Sequence, residues 1–576
     1  MRTRTAGSRV ATEEDIPRRE RGLSRTETTG YTRDPRGSSF SEGRKMSLSS
    51  SAVNKGMGDS ELRKRSHKPA EATTFQSSEI RPISTSKDGP ATTSDNGLPI
   101  TDPPGSCGLP FIGPFLDKMS FYWMEGGSPG YYISRMQKYK STVFRMNTVP
   151  GPPFFPDPRV VVLLDQKSYL TLFDMDKVEK KDVFTGTYQV NLGFTGGYRV
   201  VPYLDPSEEK HTPLKQFCME ILKSSHKSVV PELHRSLTPL FDSWEAGLRN
   251  NAKINITSDL GVATLRFKCK TFMGVDPVDP KVEANLASGA LGTILGPLNT
   301  VLLWVLPQIL PVTVVPVPKY LKPLLAPLLE LLTHTIPFPV VIVKPAYNKI
   351  LAFFRVHSQE LLDIAVTKYG LEREEALHNF VFNIIFNSWA GIYKLFPAIM
   401  RRLSSTSVEF QHELGAEVRN AIQEYGGLDF PALEAMPLAQ SAAYEVLRLD
   451  PPVRYQYGRA KKDLIIESYD AAFRVRKGEM LAGGLEVAHT DPHVFTDPLS
   501  YNPKRFMGEE GEKLLNNLLW ANGPQTEKPT TSNKHCPGMH FISFISKMFI
   551  AEIYARYETI KVGDSGNLVA LNCVSS

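Results

Sequence analysis

From about residue 350 onward, apolar side chains recur at helical spacing. Ile350–Tyr369, Glu372–Leu395 and Glu409–Tyr425 each carry a continuous apolar stripe, the signature of a helix with one buried face. Leu464–Val475 alternates instead, with turn residues at Ser468–Asp470, and reads as a β-hairpin. A shorter run, Val160–Leu164, has strand character. The pattern predicts a mainly α fold with small β-sheets.

Two stretches break this pattern. Residues 1–95 are rich in Ser, Thr, Arg, Gly and Lys and poor in large apolar residues. Such a segment buries too little surface to offset its chain entropy, so it is expected to be disordered. It reads either as a plain tail or as a transit peptide. Abundant Arg and Ser favour a transit peptide, and the early acids Glu13, Glu14, Asp15 and Glu20 oppose it. Plastid and cytoplasm both stay open. The tail has no run of roughly 18 apolar residues, so no N-terminal membrane anchor is predicted. The second stretch, Leu286–Pro318, has no charged residue. Pro307, Pro311, Pro316 and Pro318 interrupt it, and proline breaks helix interiors. Short apolar helices over a cofactor, or a peripheral membrane contact through residues 286–318, fit better than a spanning helix.

The chain has 576 residues and 41% apolar content, enough for one large core around residues 96–576. Its net charge of +6 is modest and not gathered into a stripe, so nucleic acid is not a predicted partner. The five cysteines are scattered, without a CxxC pair. That argues for a reducing compartment and against a zinc site or a disulfide framework.

One of those cysteines sits in a loop with chemical content. Residues 520–538 read WANGPQTEKPTTSNKHCPG. Cys536 is followed by Gly538 and preceded by Lys534: a sulfur ligand, a small residue for close packing and a cation for a haem propionate. A thiolate ligand pushes electron density onto haem iron and favours O–O cleavage. Trp520 and Gly523 open the loop, yet Gly523 precedes Cys536 by thirteen positions, far more than in ordinary haem-thiolate loops. Upstream, Tyr444–Arg448 reads YEVLR, which places Glu445 and Arg448 on one helix face. HTDPHVF (His489–Phe495) and PKRF (Pro503–Phe506) follow. Glu445, Arg448 and Arg505, in that order before the cysteine loop, resemble the buried charge network of cytochrome P-450 enzymes. That resemblance implies the P-450 fold, a single haem-binding domain.

A monooxygenase splits O₂ with delivered protons and carries an acid–threonine pair on its distal helix. Here the distal helix is placed at Phe382–Pro397, FNIIFNSWAGIYKLFP. Ala390–Gly391 gives room, and Ile392, Tyr393 and Lys394 follow where an acid–threonine pair is absent. Asn387 lies one turn before the small pair. An amide donates and accepts hydrogen bonds but relays protons poorly. Asn387 is thus either a helix-kinking polar residue or a hydrogen-bond partner for a bound peroxide.

Longer stretches narrow the resemblance. SRMQKYKSTVFRMN (Ser134–Asn147), VEKKDVFTGTY (Val178–Tyr188), TGGYRVVPYLDPSE (Thr195–Glu208), FNSWAG (Phe386–Gly391), QYGRAKKDLIIESYDAAF (Gln456–Phe473), GEEGEKLL (Gly508–Leu515) and NKHCPG (Asn533–Gly538) are similar to the allene oxide synthases and hydroperoxide lyases. The resemblance spans roughly residues 98–560. It implies a haem b enzyme, its iron held by Cys536, acting on a fatty-acid hydroperoxide without O₂, NADPH or a reductase. The O–O bond breaks homolytically, and the alkoxyl radical closes on the neighbouring double bond to give an epoxide and a carbon radical. Synthases remove an electron and a proton from that radical, a net dehydration in oxylipin biosynthesis. Lyases end with two carbonyl fragments.

The resemblance also assigns residues. Phe184 stands where synthases keep an aromatic beside the carbon radical and lyases tend to leucine. Lys180 would bind a haem propionate; otherwise it is a solvated lysine of the charged run Glu179–Asp182. This chain departs from the family at Pro202, where synthases tend to a small hydroxyl residue, at Ser388–Ala390, and at Pro537. Arg454 adds a cation to a pocket-lining segment, where it faces either a substrate carboxylate or solvent. These departures leave open a lyase, an epoxyalcohol- or divinyl ether-forming enzyme, and the choice between 9- and 13-hydroperoxides. A conventional monooxygenase and a non-catalytic haem sensor are weaker alternatives.

Overall fold

The computed structural model describes residues 93–110, 112–121, 128–147, 157–184, 191–309 and 339–574. Residues 1–92 of the predicted tail and the prolines at 311, 316 and 318 lie outside that set.

The helices follow the apolar stripes, with informative differences. The stripe at Ile350–Tyr369 is two helices, Val340–His357 and Gln359–Tyr369. The break falls at Ser358, whose hydroxyl donates to the Phe354 carbonyl at 2.5 Å; serine competes with the helix for backbone groups in this way. Val408–Tyr425 starts at Ser407, which accepts from the Phe410 amide, and ends at Gly426 in the left-handed conformation, an ordinary cap at each end. The hairpin forms as Leu464–Glu467 paired with Ala472–Val475, closed by the Ser468 amide on the Ala471 carbonyl. The predicted strand is Arg159–Leu163.

The distal stretch is less regular than its sequence. Arg373–Val381 is α-helical, Phe382–Trp389 is a π-helix, and Ala390–Ser404 returns to α. The rod runs on to Ser404, past Pro397 where the sequence placed its end. Pro397 has no N–H to give, but it is buried with Phe396 and Ala398 on a helix packed from several sides, and packing outweighs one lost bond. Trp389 anchors the rod by donating to the Gly261 carbonyl at 3.0 Å. A Cβ on Gly261 would meet the Tyr393 ring at 2.6 Å, so the helix–helix contact needs glycine there.

The apolar stretch from residue 289 is two successive helices within Gly289–Ile309, as the expectation of short helices had it, broken at the non-helical Gly296 (φ 75°, ψ 166°), the second continuing through Pro307. It is long and apolar enough to cross a membrane by length and composition. However, Trp304 and Val301 are fully buried, Trp304 stacks on Tyr347 at 5.1 Å, and its indole donates to the Phe194 carbonyl. That face of the run belongs to the protein core.

The sheets are small. The main one orders its strands Val143–Asn147, Arg159–Leu163, Met480–Gly484, Tyr455–Ala460 and Val178–Glu179, with one parallel pair. The strand Tyr455–Ala460 matters most for the site, because its residues reach both the cysteine loop and Lys180.

A buried charge network holds the helix Pro437–Leu449 to the cysteine side. Arg448 donates to both Glu445 oxygens at 2.7 and 2.8 Å, and both side chains are fully buried. Arg505 donates to the same carboxylate at 3.0 and 3.1 Å. The rest of Arg448 is spent on the His489 and Pro498 carbonyls, both at 2.7 Å, and its guanidinium lies 4.9 Å from the Phe495 ring centre. Removing one partner from such a network leaves uncompensated buried charge. We expect Glu445→Gln to lose roughly 3–5 kcal/mol in equilibrium urea unfolding; a loss under about 1 kcal/mol would assign the network no more than a surface pair's worth.

Candidate active site

The thirteen-residue spacing between Gly523 and Cys536 does not separate them in space. Leu519–Trp520 and Gly523–Pro524 form a two-stranded hairpin, the chain loops out, and it returns so that the Cys536 amide donates to the Ala521 carbonyl at 3.0 Å. His535 packs so closely that a Cβ on Gly523 would meet its ring at 2.5 Å, which explains the glycine. Asn533 organises the insertion: its side-chain oxygen accepts from the Thr530 and His535 amides, and its side-chain nitrogen donates to the Lys528 carbonyl. Gln456 clamps the hairpin by donating to the Trp520 carbonyl at 2.7 Å and accepting from the Asn522 amide at 3.0 Å. Asn522 itself is left-handed, at φ 63°.

His489 joins this loop to the charge network. Its Nε2 accepts from the Leu519 amide at 2.9 Å, and its Nδ1 donates to the Arg448 carbonyl at 2.9 Å. An amide N–H can only donate and a carbonyl only accept, so the ring is neutral and its tautomer fixed. Burial, and then the Arg448 charge, push its pKa down to about 3.

Cys536 heads the helix Met539–Arg556. Burial raises its thiol pKa, while the Gly538 and Met539 amides and the charge of Lys215 pull the other way. The sulfur environment is therefore desolvated, with amide dipoles and a cation aimed at it. Three lysines linked to this loop, directly or through one another, are bonded to amide and carbonyl oxygens. Lys180, buried, donates to the Tyr457 carbonyl at 2.9 Å. Lys534 donates to the Val201 and Leu204 carbonyls, on either side of Pro202 and Tyr203. Lys215 donates to the Asn533 backbone and side-chain oxygens. Lys180 is pushed down to about 7 by burial and then by Lys534, and Lys534 to about 7 by burial and then by Lys215. Lys180 is thus no solvated surface lysine, and it sits within electrostatic reach of Lys534. A Cβ on Gly458 would meet Val178 at 2.1 Å, so glycine there lets the Lys180 strand approach.

This donor set fits a haem. A buried ammonium without a full counter-charge is costly, and two propionates would supply what Lys180 and Lys534 lack. A desolvated thiol with amides pointing at its sulfur suits a thiolate ligand. Lys215, four residues after His211 on the helix His211–Ser224, extends the cationic set; burial and then Lys534 push His211 down to about 4, which leaves it neutral, and both its ring nitrogens are buried without a hydrogen-bond partner of normal geometry. Sequence reasoning missed this pair, although its helical spacing is visible in HTPLK. It also missed Gln456 and Asn533, whose side-chain contacts span the loop.

On the distal side, Asn387 is exposed while Phe386 before it is buried. Its side-chain nitrogen donates to the Asn383 oxygen at 3.2 Å, which leaves the Asn387 oxygen as an acceptor. Asn383, a turn earlier in the π-helix, is a further residue that sequence reasoning missed. Phe184 is half-buried and meets this helix edge-on: its ring centre lies 6.3 Å from Phe382 and 6.1 Å from Phe386, with Tyr203 at 5.8 Å. Phe382 and Phe386 stack at 4.5 Å. The fold thus joins Phe184 to the helix of Asn387, and Lys180 and Lys534 to the loop of Cys536.

The family model for cytochrome P450 matches residues 405–526, stopping inside the extended loop before Cys536. The chain is 41% identical to a chloroplastic allene oxide synthase of Arabidopsis thaliana over 476 residues, covering 82% of this chain and 88% of that protein. It is 39% identical to that of Linum usitatissimum over 502 residues, covering 86% and 90%. It is 38% identical to a divinyl ether synthase of Selaginella moellendorffii over 472 residues, covering 80% and 92%.

The His489 bridge predicts a pH dependence. The unfolded chain takes up a proton at this histidine near 6.5, the native state only near 3. Its contribution is therefore complete above 6.5 and is lost as pH falls toward 3. In urea unfolding from about pH 6.5 down to about 5, His489→Gln should flatten the slope of stability against pH by up to about one proton. Equal slopes would show that His489 titrates normally in the native state.

Proposed function

The chain belongs to the allene oxide synthase branch of the cytochrome P450 superfamily, and from that membership we propose that it dehydrates polyunsaturated fatty-acid hydroperoxides to allene oxides in oxylipin biosynthesis. Haem is its cofactor, with a cysteine thiolate on the iron. When bound, it supplies the one-electron couple that opens the O–O bond and takes an electron back from the carbon radical. The reaction neither gains nor loses electrons overall: the hydroperoxide leaves as an allene oxide and water. No reductase or NADPH is required.

The chain's own residues have distinct tasks in this reading. Cys536 is the iron ligand, and Lys180 and Lys534 hold the propionates. Asn387, its nitrogen engaged with Asn383, offers its oxygen to the hydroperoxide O–H and so orients the peroxide without relaying protons. Phe184 presents a π-face to the radical, and its T-shaped contacts with Phe382 and Tyr203 fix the ring by packing. What supports this reading is an amide, Asn387 bonded to Asn383, where a monooxygenase carries an acid–threonine pair, together with the extended cysteine loop. Plastid targeting follows from relatives named chloroplastic. Exposed Ile294, Val341 and Ile342 support a peripheral membrane contact beside the kinked apolar helix.

Purified protein given 9- and 13-hydroperoxides of linoleic and linolenic acid, without NADPH, should yield ketols and cyclopentenones, the decay products of allene oxides. Short aldehydes would make it a lyase, divinyl ethers would place it with the Selaginella relative, and no turnover would overturn the peroxide reading. Cys536→Ala should abolish the thiolate spectrum and the activity; a normal spectrum would refute the ligand assignment. Phe184→Leu should raise the share of cleavage products at least severalfold, worth about 1 kcal/mol of radical stabilisation. An unchanged product ratio would remove Phe184 from the radical step.

A further inference from the structure

Two cations on the distal side, Lys394 and Arg454, have no part in binding the haem or the peroxide. Lys394 lies seven residues beyond Asn387 and three beyond Gly391, so the three share one face of the rod. Tyr393 and Leu395 are buried, whereas Lys394 is exposed. Among the described residues, its ammonium makes no hydrogen bond or ion pair. Burial nonetheless lowers its pKa, and repulsion from Arg454 lowers it further.

Gly391 identifies what lies across from that face. The nearest neighbour of a Cβ placed there would be Pro452 Cβ, at 3.8 Å. The segment after the helix Pro437–Leu449 therefore crosses the accessible face of the distal rod, and Arg454 comes two residues later. Arg454 is held loosely: its side chain is 55% exposed, and Glu486 lies 3.8 Å away. That Glu486 oxygen has no hydrogen bond. Lys394 and Arg454 against the one carboxylate of Glu486 leave a net positive charge at this edge of the rod, a charge suited to an anion.

We propose that Lys394 and Arg454 together bind the carboxylate of the fatty-acid substrate. This rests on the hydroperoxide reading, which supplies a substrate with one anionic end. Lys394 stands about 10 Å along the rod axis from Asn387, so one helix face reads both polar groups: the hydroperoxide at Asn387 and the carboxylate at Lys394. Arg454 adds the planar fork suited to a carboxylate, while Lys394 adds a point charge. Glu486 keeps Arg454 near the site and yields it to a better-placed anion.

The test compares binding of the unreactive hydroxy analogue of linoleic acid hydroperoxide with binding of its methyl ester, by calorimetry on the haem-loaded protein. The wild type should bind the acid roughly tenfold or more tightly than the ester. Lys394→Met with Arg454→Gln should erase that preference, and Arg454→Lys alone should retain most of it. If the double variant lacks a normal haem spectrum, Arg454→Gln alone carries the test and should lower the preference severalfold. Equal binding of acid and ester by the wild type, or an unchanged preference in the variants, overturns the anchor. Intact acid preference without turnover of any hydroperoxide would overturn the functional reading and leave the anchor standing.

Discussion

The rest of the molecule depends on one desolvated carboxylate. Glu445 receives two guanidinium groups, Arg448 and Arg505, by direct hydrogen bonds. Neither arginine can be satisfied elsewhere without leaving a buried charge uncompensated. Arg448 then spends its remaining donors on the backbone of residues 489 and 498, and the backbone of Arg448 fixes the His489 ring. That ring holds Leu519 and thereby the hairpin onto which Cys536 returns. The position of the thiol is set by a chain of hydrogen bonds that begins at an ion pair on another helix.

The interior around that thiol carries more positive charge than its own acids neutralise. Lys180, Lys215 and Lys534 are bonded to carbonyl or amide oxygens, and their depressed pKa values record the cost of keeping ammonium groups there. A dianionic cofactor held by these lysines would offset that cost. The same logic operates on the distal side at lower charge, where Lys394 and Arg454 outnumber Glu486. Both groups of cations are built by side chains from distant parts of the sequence, and the proposed readings assign one to the cofactor's two carboxylates and the other to a single fatty-acid carboxylate.

The π-helix sets which side chains the Phe382–Trp389 segment brings together. Wider turns shift the face that the rod presents, and here they occur across Phe382–Trp389. Asn383 and Asn387 come into hydrogen-bond contact across it, while Phe382 and Phe386 stack and receive Phe184. The polar pair and the aromatic wall are thus held by the same irregular turns. Trp389 and Gly261 lock the following turn against a neighbouring helix.

The sequence by itself determined the helical rods, the hairpin at Leu464–Val475, the Glu445–Arg448 pairing and the loop that carries Cys536, because each rests on spacing within a few turns. Only the tertiary structure decided the break at Ser358, the passage through Pro397 and the π-helical register, since side-chain hydrogen bonding and packing from several sides override local propensity at those points. It also decided that Gly523 and Cys536 are neighbours despite thirteen positions of chain, that Lys180 is buried rather than solvated, and that Arg454 lies close enough to Lys394 to repel it. Those facts concern the desolvation of charges brought together from remote segments. No local pattern encodes them, because the free energy of a buried charge depends on everything that surrounds it in space.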